Sequence, residues 1–579
     1  METSTDLDKR LDWIDRRSAH GLWPGCHSNS HRQNLGCPSA RENTTILTAA
    51  ASPLTAIAMV VVAISFSGCT EVGPDFKTPT APVASTFRGV DEKPIPPQSA
   101  KLRDWWTVFN DPTLNHLIDT AYNQNLTLQS AGARVLEARA ELGIATGNIY
   151  PQQQFLGGSV TYNRLSKSDI FAGVAPPPGN FWRATFGPEV IWELDFWGKF
   201  RRGIESADAA YLASIANYDD VLVTLLGDVA TTYIGIRTLE QQIQYAKTNV
   251  ATQRKALQIA ETRFKEGSTT RLDVYQAQNV LGATEARLPQ LEIQLEQGKN
   301  ALRVLLGMAP QPLDSVMAQS TGIPAAPQDV ALGIPADLLR RRPDIRVAEM
   351  RAAAQSAQIG IAKADLYPAF SLFGTVGVAA TDVHGAELGD FFTSKGLTFA
   401  FGPSFHWNVL NYGQITNNVR VQDARLQALL IDYKNTVLTA QQEVENGVAG
   451  FVLSRQQAAY LRDSVKAAQG ALDLSFLQYH EGLTDFTTVL QAEENLADAQ
   501  NNFAATTGTE SSSVAQIYRA LGGGWEISAG KEFVTPETRE EMVSRTDWGD
   551  ALPTSAQAPP PEKPSQGFWH WLGFGSPSW

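Results

Sequence analysis

The sequence predicts a mixed fold, in which the strands of a membrane β-barrel join very long α-helical hairpins, built twice within one chain and closed by oligomerisation. Three features predict it. The chain repeats itself, its strands alternate apolar and polar residues beyond globular length, and two helical stretches run without proline from Arg201 to Lys265 and from Gln414 to Glu481.

The duplication has a shift of about 215 residues. Phe186-Gly187-Pro188 recurs as Phe401-Gly402-Pro403, Trp192 as Trp407, Gly198 as Gly413, Glu266-Gly267 as Glu481-Gly482, and Leu306-Gly307 as Leu521-Gly522. Upstream the shift is 217, matching Gly143-Ile144-Ala145 to Gly360-Ile361-Ala362 and Tyr150-Pro151 to Tyr367-Pro368. The two extra residues of the first copy fall in the loop around Ala175-Pro176-Pro177-Pro178-Gly179, where a change of length is cheap. Each copy reads as helix, strand, loop, strand, very long helix, tight turn and long helix.

The second strand of the first copy places Trp182, Ala184, Phe186, Pro188, Val190, Trp192, Leu194 and Phe196 on one face, and Arg183, Thr185, Gly187, Glu189, Ile191, Glu193 and Asp195 on the other. Its counterpart sets Leu397, Phe399, Phe401, Pro403, Phe405, Trp407 and Val409 against Thr398, Ala400, Gly402, Ser404, His406 and Asn408. The preceding strands, about 154–164 and 369–381, alternate more weakly and carry many glycines. Apolar-out, polar-in strands of this length mark a transmembrane barrel. Aromatics near both ends of the outward face favour a bilayer belt over a sheet packed on a soluble core.

In the long helices Tyr218, Leu222, Leu225, Val229, Tyr233 and Ile236 step by threes and fours, as do Tyr433, Val437, Ala440, Val444, Val448 and Phe451. At 1.5 Å per residue each helix would run roughly 90–100 Å, so the helices must bundle lengthwise. Gly267 and Gly482 suit the left-handed position that ends a helix. Thr270-Arg271-Leu272-Asp273 fits a capping box for the returning helix, and Asp485 can cap its counterpart. Four strands per chain cannot close a sheet whose edges must not face lipid. Three copies would give twelve strands and room for a channel, whereas two would give an interior wide enough only for side chains.

Residues 1–68 hold six acids and six bases, so the net charge of −13 belongs entirely to residues 69–579. That acidity argues against a nucleic-acid partner. The three cysteines are Cys26, Cys37 and Cys69, so the main body has neither a disulfide nor a thiolate metal site. The apolar run from Ala56 to Phe66 is too short for a confident spanning helix and suits a signal-peptide core. Ser67-Gly68-Cys69 resembles a lipobox, with Phe66 in place of the usual leucine and Thr70 in place of a retention aspartate. Cleavage before Cys69 would leave it carrying diacylglycerol and palmitate, and no other cofactor is expected.

Together these residues resemble the outer-membrane factor family, of which TolC and OprM are familiar members. The resemblance covers roughly residues 69–525. It is carried by Cys69-Thr70-Glu71-Val72-Gly73-Pro74-Asp75-Phe76, by Asp104-Trp105-Trp106 with Phe109-Asn110-Asp111-Pro112, by Arg341-Arg342-Pro343-Asp344-Ile345-Arg346, and by the turns at Gly267 and Gly482. It implies a homotrimer with a twelve-stranded barrel continuing into a periplasmic α-barrel, and an equatorial collar built partly from 310–340. It also implies two partners: an inner-membrane transporter and a periplasmic adaptor docking near the hairpin tips, here Glu266, Gly267, Glu481 and Gly482. In TolC-like members polar contacts beside the turns close the periplasmic end. Asp273 and Tyr479 match two members of that network, while its arginine and a further aspartate are replaced by Thr484 and Gln491. Asp485, Glu493, Glu494 and Arg271 are available substitutes.

On this reading the chain comprises a leader (1–68), a lipidated segment (69–112), a first repeat (113–309), a linker (310–340), a second repeat (341–525) and a disordered tail (526–579). The expected function is a passive outer-membrane exit duct of a tripartite efflux pump exporting drugs or other small molecules. Alternatives are the outlet of a type I protein secretion system or, from another class, a periplasmic adaptor lipoprotein, which would carry a single hairpin and no long strand pairs. No nucleophile–base pair, Walker loop or metal triad is present, so no enzymatic activity is expected.

Overall fold

The computed structural model describes residues 71–84, 87, 102–164, 180–317, 320–328, 330, 341–383, 387–549 and 552. The chain divides into Met1–Gly68 and Cys69–Trp579, and every described residue lies in the second unit. Cys26, Cys37, Cys69 and the Pro559–Pro561 and Phe568–Trp571 segments fall outside the described residues.

Helices α1 (Pro112–Gln124) and α2 (Leu126–Gly147) lead into strands β1 (Gln153–Arg164) and β2 (Asn180–Leu194). Helices α3 (Lys199–Lys265) and α4 (Arg271–Leu305) complete the first copy. The second comprises α5 (Pro343–Ala364), β3 (Ala369–Thr381), β4 (Leu397–His406), α6 (Gln414–His480) and α7 (Phe486–Ala520). The helices of the two copies match in length: α3 and α6 each have 67 residues, α4 and α7 each 35, α2 and α5 each 22. Both long helices span about 100 Å. One window of α3 is apolar enough to cross a membrane, but 61% of it is buried inside the protein, where Leu222, Leu226, Val229 and Ile234 form core.

The shorter helices stack end to end along the long ones. Asn125 caps α2 by accepting from the Leu128 amide, and its amide nitrogen donates 2.9 Å to the Leu305 carbonyl at the end of α4. Gly307 (φ +67°) brings the backbones together, since a Cβ there would lie 2.2 Å from the Gln124 carbonyl oxygen. In the second copy Arg342, just before α5, donates 2.7 Å to the Ala520 carbonyl that ends α7. Such contacts satisfy carbonyls left orphaned at a helix C-terminus.

The four strands form one antiparallel sheet in the order β1-β2-β3-β4, and within the chain β1 and β4 are its edges. Register settles the parity. Directly paired residues share a face, and the pairs Leu156↔Pro188, Val160↔Ala184, Tyr162↔Trp182, Phe186↔Val378, Trp192↔Leu372, Val376↔Phe399 and Phe370↔Phe405 form one apolar surface. The opposite face pairs Ser159 with Thr185, hydroxyls 2.9 Å apart, and Thr161 with Arg183, Glu189 with Thr375, and Ser371 with Ser404. Phe155, Phe181, Ile191 and Phe373 are the large apolar residues on that polar face. Gly187 and Gly377 sit at the seam between the copies, where a Cβ on Gly187 would meet the Val376 carbonyl at 2.2 Å.

The largest core lies where the helices meet the N-terminal segment. Trp105, fully buried, stacks on Tyr518 at 5.5 Å. Asp111 caps α1 and accepts from the Tyr233 hydroxyl at 2.9 Å and from Ser320 at 2.7 Å. Arg237 donates to that Tyr233 oxygen and to the Met317 carbonyl, tying the linker to α3. Arg342, 7% exposed, pairs with Asp344 and Glu443. The motif residues that stood out in the sequence are therefore joints between helices.

The tail departs from the expectation of disorder through residue 549. A turn of 3-10 helix at Trp525–Ser528 and helix α8 (Pro536–Arg545) follow α7. Glu526, Ser528 and Val534 are buried. Phe533 meets the Tyr218 ring edge-on at 5.3 Å, and its backbone lies so close to Gly132 that a Cβ there would fall 1.9 Å from the Phe533 carbonyl oxygen. Val534 and Leu552 pack on Leu136. Composition alone suggested a tail because few of its residues are apolar, but those few find a glycine-opened groove on α2.

Candidate functional site

Two regions carry the residues that the sequence singles out: the sheet and the far ends of the hairpins. The apolar face of the sheet is open to its surroundings within the chain. Phe401 is 80% exposed, Phe405 70%, Val160 68% and Phe399 67%. Bare apolar faces of this extent belong against lipid or another chain. At the helix-proximal end the indole of Trp192 donates 3.0 Å to the Ile149 carbonyl, and Trp407 donates 3.0 Å to Leu366 at the equivalent place in the second copy. At the other end Tyr162 and Trp182 lie 5.0 Å apart. Aromatic rings at both borders, each with an apolar body and a polar edge, are what a bilayer interface selects.

At the hairpin ends both long helices stop in the same way. Gly267 (φ +74°) and Gly482 (φ +75°) take the left-handed conformation. The amides of Ser268 and Leu483 then reach back to the carbonyls of Arg263 and Gln478, at 2.9 and 2.8 Å. Glu266, Gly267, Glu481 and Gly482 are all exposed there, beside bare Leu272 and Leu483. Asp485 caps α7, accepting from the Thr488 amide at 3.2 Å. The capping box expected at Thr270 does not form. Thr270 occupies the cap position without a side-chain bond, and it is Thr269 whose hydroxyl donates to Asp273.

Asp273 and Tyr479 share no hydrogen bond among the described residues. Tyr479 is instead engaged by Arg263, a residue that no sequence pattern singles out. The Arg263 guanidinium lies 4.4 Å over the Tyr479 ring and donates to the carbonyls of Tyr479 at 2.8 Å and His480 at 3.0 Å. A cation at the last carbonyls of α6 is favoured by the helix dipole and satisfies orphan acceptors. This staple joins the tip of the first hairpin to that of the second. Tyr479 also meets Phe486 at 5.1 Å, and its hydroxyl is buried with no hydrogen-bond partner among the described residues. Gln491 is exposed and bonds Asn495 at 3.3 Å, Glu494 is exposed, and the Arg271 guanidinium lies 5.4 Å over Phe264.

Long helices continuous with a sheet that is apolar outside and polar inside define a membrane channel protein. The chain belongs to the outer membrane efflux protein family, whose model matches residues 117–308 and 334–523. It is 29% identical over 476 residues to nodulation protein T of Rhizobium leguminosarum bv. viciae, covering 81% of this chain and 93% of that one. It is 30% identical over 427 residues to the pyoverdine export outer membrane protein OpmQ of Pseudomonas putida, covering 73% and 89%. Among solved structures the outer-membrane channel OprN matches with a TM-score of 0.72 and 31% identity, over 79% of this chain and 99% of that one. The chain is an outer-membrane efflux channel protein.

Glu493 is the one acid of the tip region drawn into the core. It is 3% exposed, and both its carboxylate oxygens lack a hydrogen-bond partner among the described residues. Asn249 and Gln500, bonded at 3.0 Å, set the register of α3 on α7, and Glu493 lies two turns nearer the tip. Burial, followed by repulsion from Glu494, pushes the Glu493 carboxyl up to about 7. The folded chain thus holds a proton that the unfolded chain releases near 4.5. Stability from this group is full below about 4.5 and is lost as pH rises through about 7. Glu493→Gln should flatten that dependence and raise Tm at pH 8 with little change at pH 4.5, as read by thermal melts across pH. Parallel wild-type and variant profiles would place the carboxyl in a solvated setting.

Proposed function

We propose that the chain acts as a homotrimer in the outer membrane, in which three four-stranded sheets close a twelve-stranded barrel and six hairpins form a periplasmic helical tube. The observation that carries this is the sheet itself. Its outer face is apolar and exposed, its inner face polar, and its strands β1 and β4 have free backbone groups on the outer side of each edge. In hydrocarbon those groups must be paired, and pairing β4 of one protomer with β1 of the next does so without a new element. The duct carries small molecules passively and catalyses nothing. It works with an inner-membrane transporter and a periplasmic adaptor that meets the tips at Glu266, Gly267, Glu481 and Gly482. Relatives named for nodulation, for pyoverdine export and for toluene efflux favour a small organic solute over a secreted protein.

Two further assignments belong to this reading. Cys69 is the mature N-terminus and carries the diacylglycerol and palmitate that add a lipid anchor to the barrel. Mass spectrometry of the native protein should find a lipidated peptide beginning at Cys69, and an unmodified peptide spanning Gly68 and Cys69 would refute it. The tips form the gate, with Asp273, Tyr479, Asp485 and Gln491 at its mouth and the Arg263 staple holding the two hairpins together. The contacts of Asp485 and Gln491 are exposed, and an exposed polar contact contributes only roughly 0–1 kcal/mol, so a threefold set of them is reversible. Arg263→Ala should raise single-channel conductance in planar bilayers while trimers persist, and unaltered conductance would place the closing contacts elsewhere.

The barrel itself is tested through parity. Phe401→Arg and Val190→Arg should impair outer-membrane assembly, because an arginine facing lipid near the midplane costs about 2–4 kcal/mol per copy. Thr185→Arg, on the opposite face, should assemble normally and alter conductance. Equal tolerance at both faces, scored by heat-resistant trimer in membrane fractions, would overturn the barrel.

A further inference from the structure

A groove of about 690 Å³ lies where α2, α3, α5 and α6 run side by side, close below the sheet. Its lining holds three arginines, Arg134 of α2, Arg351 of α5 and Arg425 of α6, and no aspartate or glutamate. In a chain with a net charge of −13 this is a local reversal of sign. All three arginines are exposed. Neither Arg134 nor Arg351 has an ion pair or hydrogen bond among the described residues, and Arg425 makes only a 3.4 Å contact with the Gln422 side chain.

The floor of the groove is built. Gln358 donates 2.8 Å to the Ser206 hydroxyl, which donates 3.0 Å to the Ala354 carbonyl, stitching α3 to α5. Gln355 donates to the Gln422 side chain at 2.9 Å and to its carbonyl at 3.1 Å, stitching α5 to α6. The donors and acceptors of the floor thus satisfy one another, and the guanidinium groups stand free above it.

The placement of the groove follows from α5. One face of α5 packs on the N-terminal segment: Thr78 donates 2.8 Å to Glu349, and the Gly360 position touches the Val72 carbonyl. Ser356, on the same face, donates 3.5 Å to the Pro74 carbonyl. At about 100° per residue, Arg351, Ala354 and Gln358 lie on the opposite face. The segment covers one side of the helical layer and the arginine groove occupies the other. If the layer closes into a tube with the segment outside, the groove lies on the inner wall.

We infer that this groove is an anion site on the wall of the duct, taking solutes that carry two or more carboxylate or phosphate groups. The inference rests on the proposed trimeric duct for its position, and on the arginines alone for its chemistry. Three guanidinium groups per protomer, none paired with an acid among the described residues, offer charge-assisted hydrogen bonds to such groups. Threefold repetition inside a tube with low-dielectric walls concentrates multivalent anions there. A solute of this class would dwell at the head of the helical tube before entering the barrel.

The test uses full-length trimer in planar bilayers with citrate as the probe. Citrate should block the current, more strongly in 0.1 M than in 1 M KCl because salt screens the attraction. The triple variant Arg134→Gln, Arg351→Gln, Arg425→Gln should raise the half-blocking concentration at least tenfold and shift the reversal potential toward cation selectivity. The triple lysine variant should restore both. Equal block in wild type and glutamine variant overturns the site. Loss of block in the lysine variant as well overturns it too, by showing that shape and not charge sets the effect. Citrate binding to detergent-solubilised trimer by calorimetry separates the two readings. Binding without any wild-type conductance would sink the duct and leave the site, whereas conductance without binding or block would sink the site and leave the duct.

Discussion

Backbone hydrogen bonding in hydrocarbon is the constraint on which the rest of this structure depends. A peptide group that reaches lipid unpaired costs several kcal/mol, and the sheet of one chain ends in two strands with such groups. The chain therefore cannot be a finished membrane element alone. Where the β2–β3 ladder skips from Phe186↔Val378 to Glu189↔Thr375, Gly187 and Gly377 let the two copies bring their backbones together with no Cβ between them. The same requirement explains why the apolar face is so little buried within the chain, since its proper neighbours lie outside it.

Below the sheet a different rule holds. Helices of 67 residues have no globular core to wrap, and each is covered over part of its length by two shorter helices butted end to end. The joints carry the polar chemistry. Asn125 bridges α4 and α2, Arg342 bridges α7 and α5, and Asp111, Tyr233 and Arg237 fasten the linker to α3. These groups are buried and mutually satisfied, so losing one partner would leave the other uncompensated. At the tips the bond between the two hairpins is the Arg263 staple, laid over a small apolar cluster of Ala260, Val274, Tyr479 and Phe486.

Most of the fold was legible because it is periodic. Repeats, alternation and threes-and-fours spacing report which face of an element is apolar, and the register of β1 to β4 agrees with the parity of Trp182 to Leu194 residue by residue. Pairwise identity was less legible. Thr269 rather than Thr270 bonds Asp273 because the turn presents its hydroxyl one residue earlier than the capping-box pattern assumes. Arg263 is one basic residue among several at a helix end, and only the neighbouring hairpin shows what it touches. Glu493 and Glu494 are adjacent and alike in sequence, yet one is buried and one exposed, since a single residue turns a helix by about 100°. The folded part of the tail escaped notice because Val534 and Leu552 are isolated apolar residues whose groove on α2 is opened by a glycine far upstream.

The matched lengths of the two copies have a consequence for how such a chain can change. One residue added to α3 alone would advance its tip by about 1.5 Å and rotate it by about 100° against α6. The Arg263 staple and the Asn249–Gln500 register would then both miss their partners. Length can drift freely only in segments outside the tube, and the step from a 217-residue to a 215-residue offset does fall between β1 and the long helix. Insertions in either hairpin are tolerated only in matched pairs, which makes the two halves of the chain a vernier, each the gauge for the other's length.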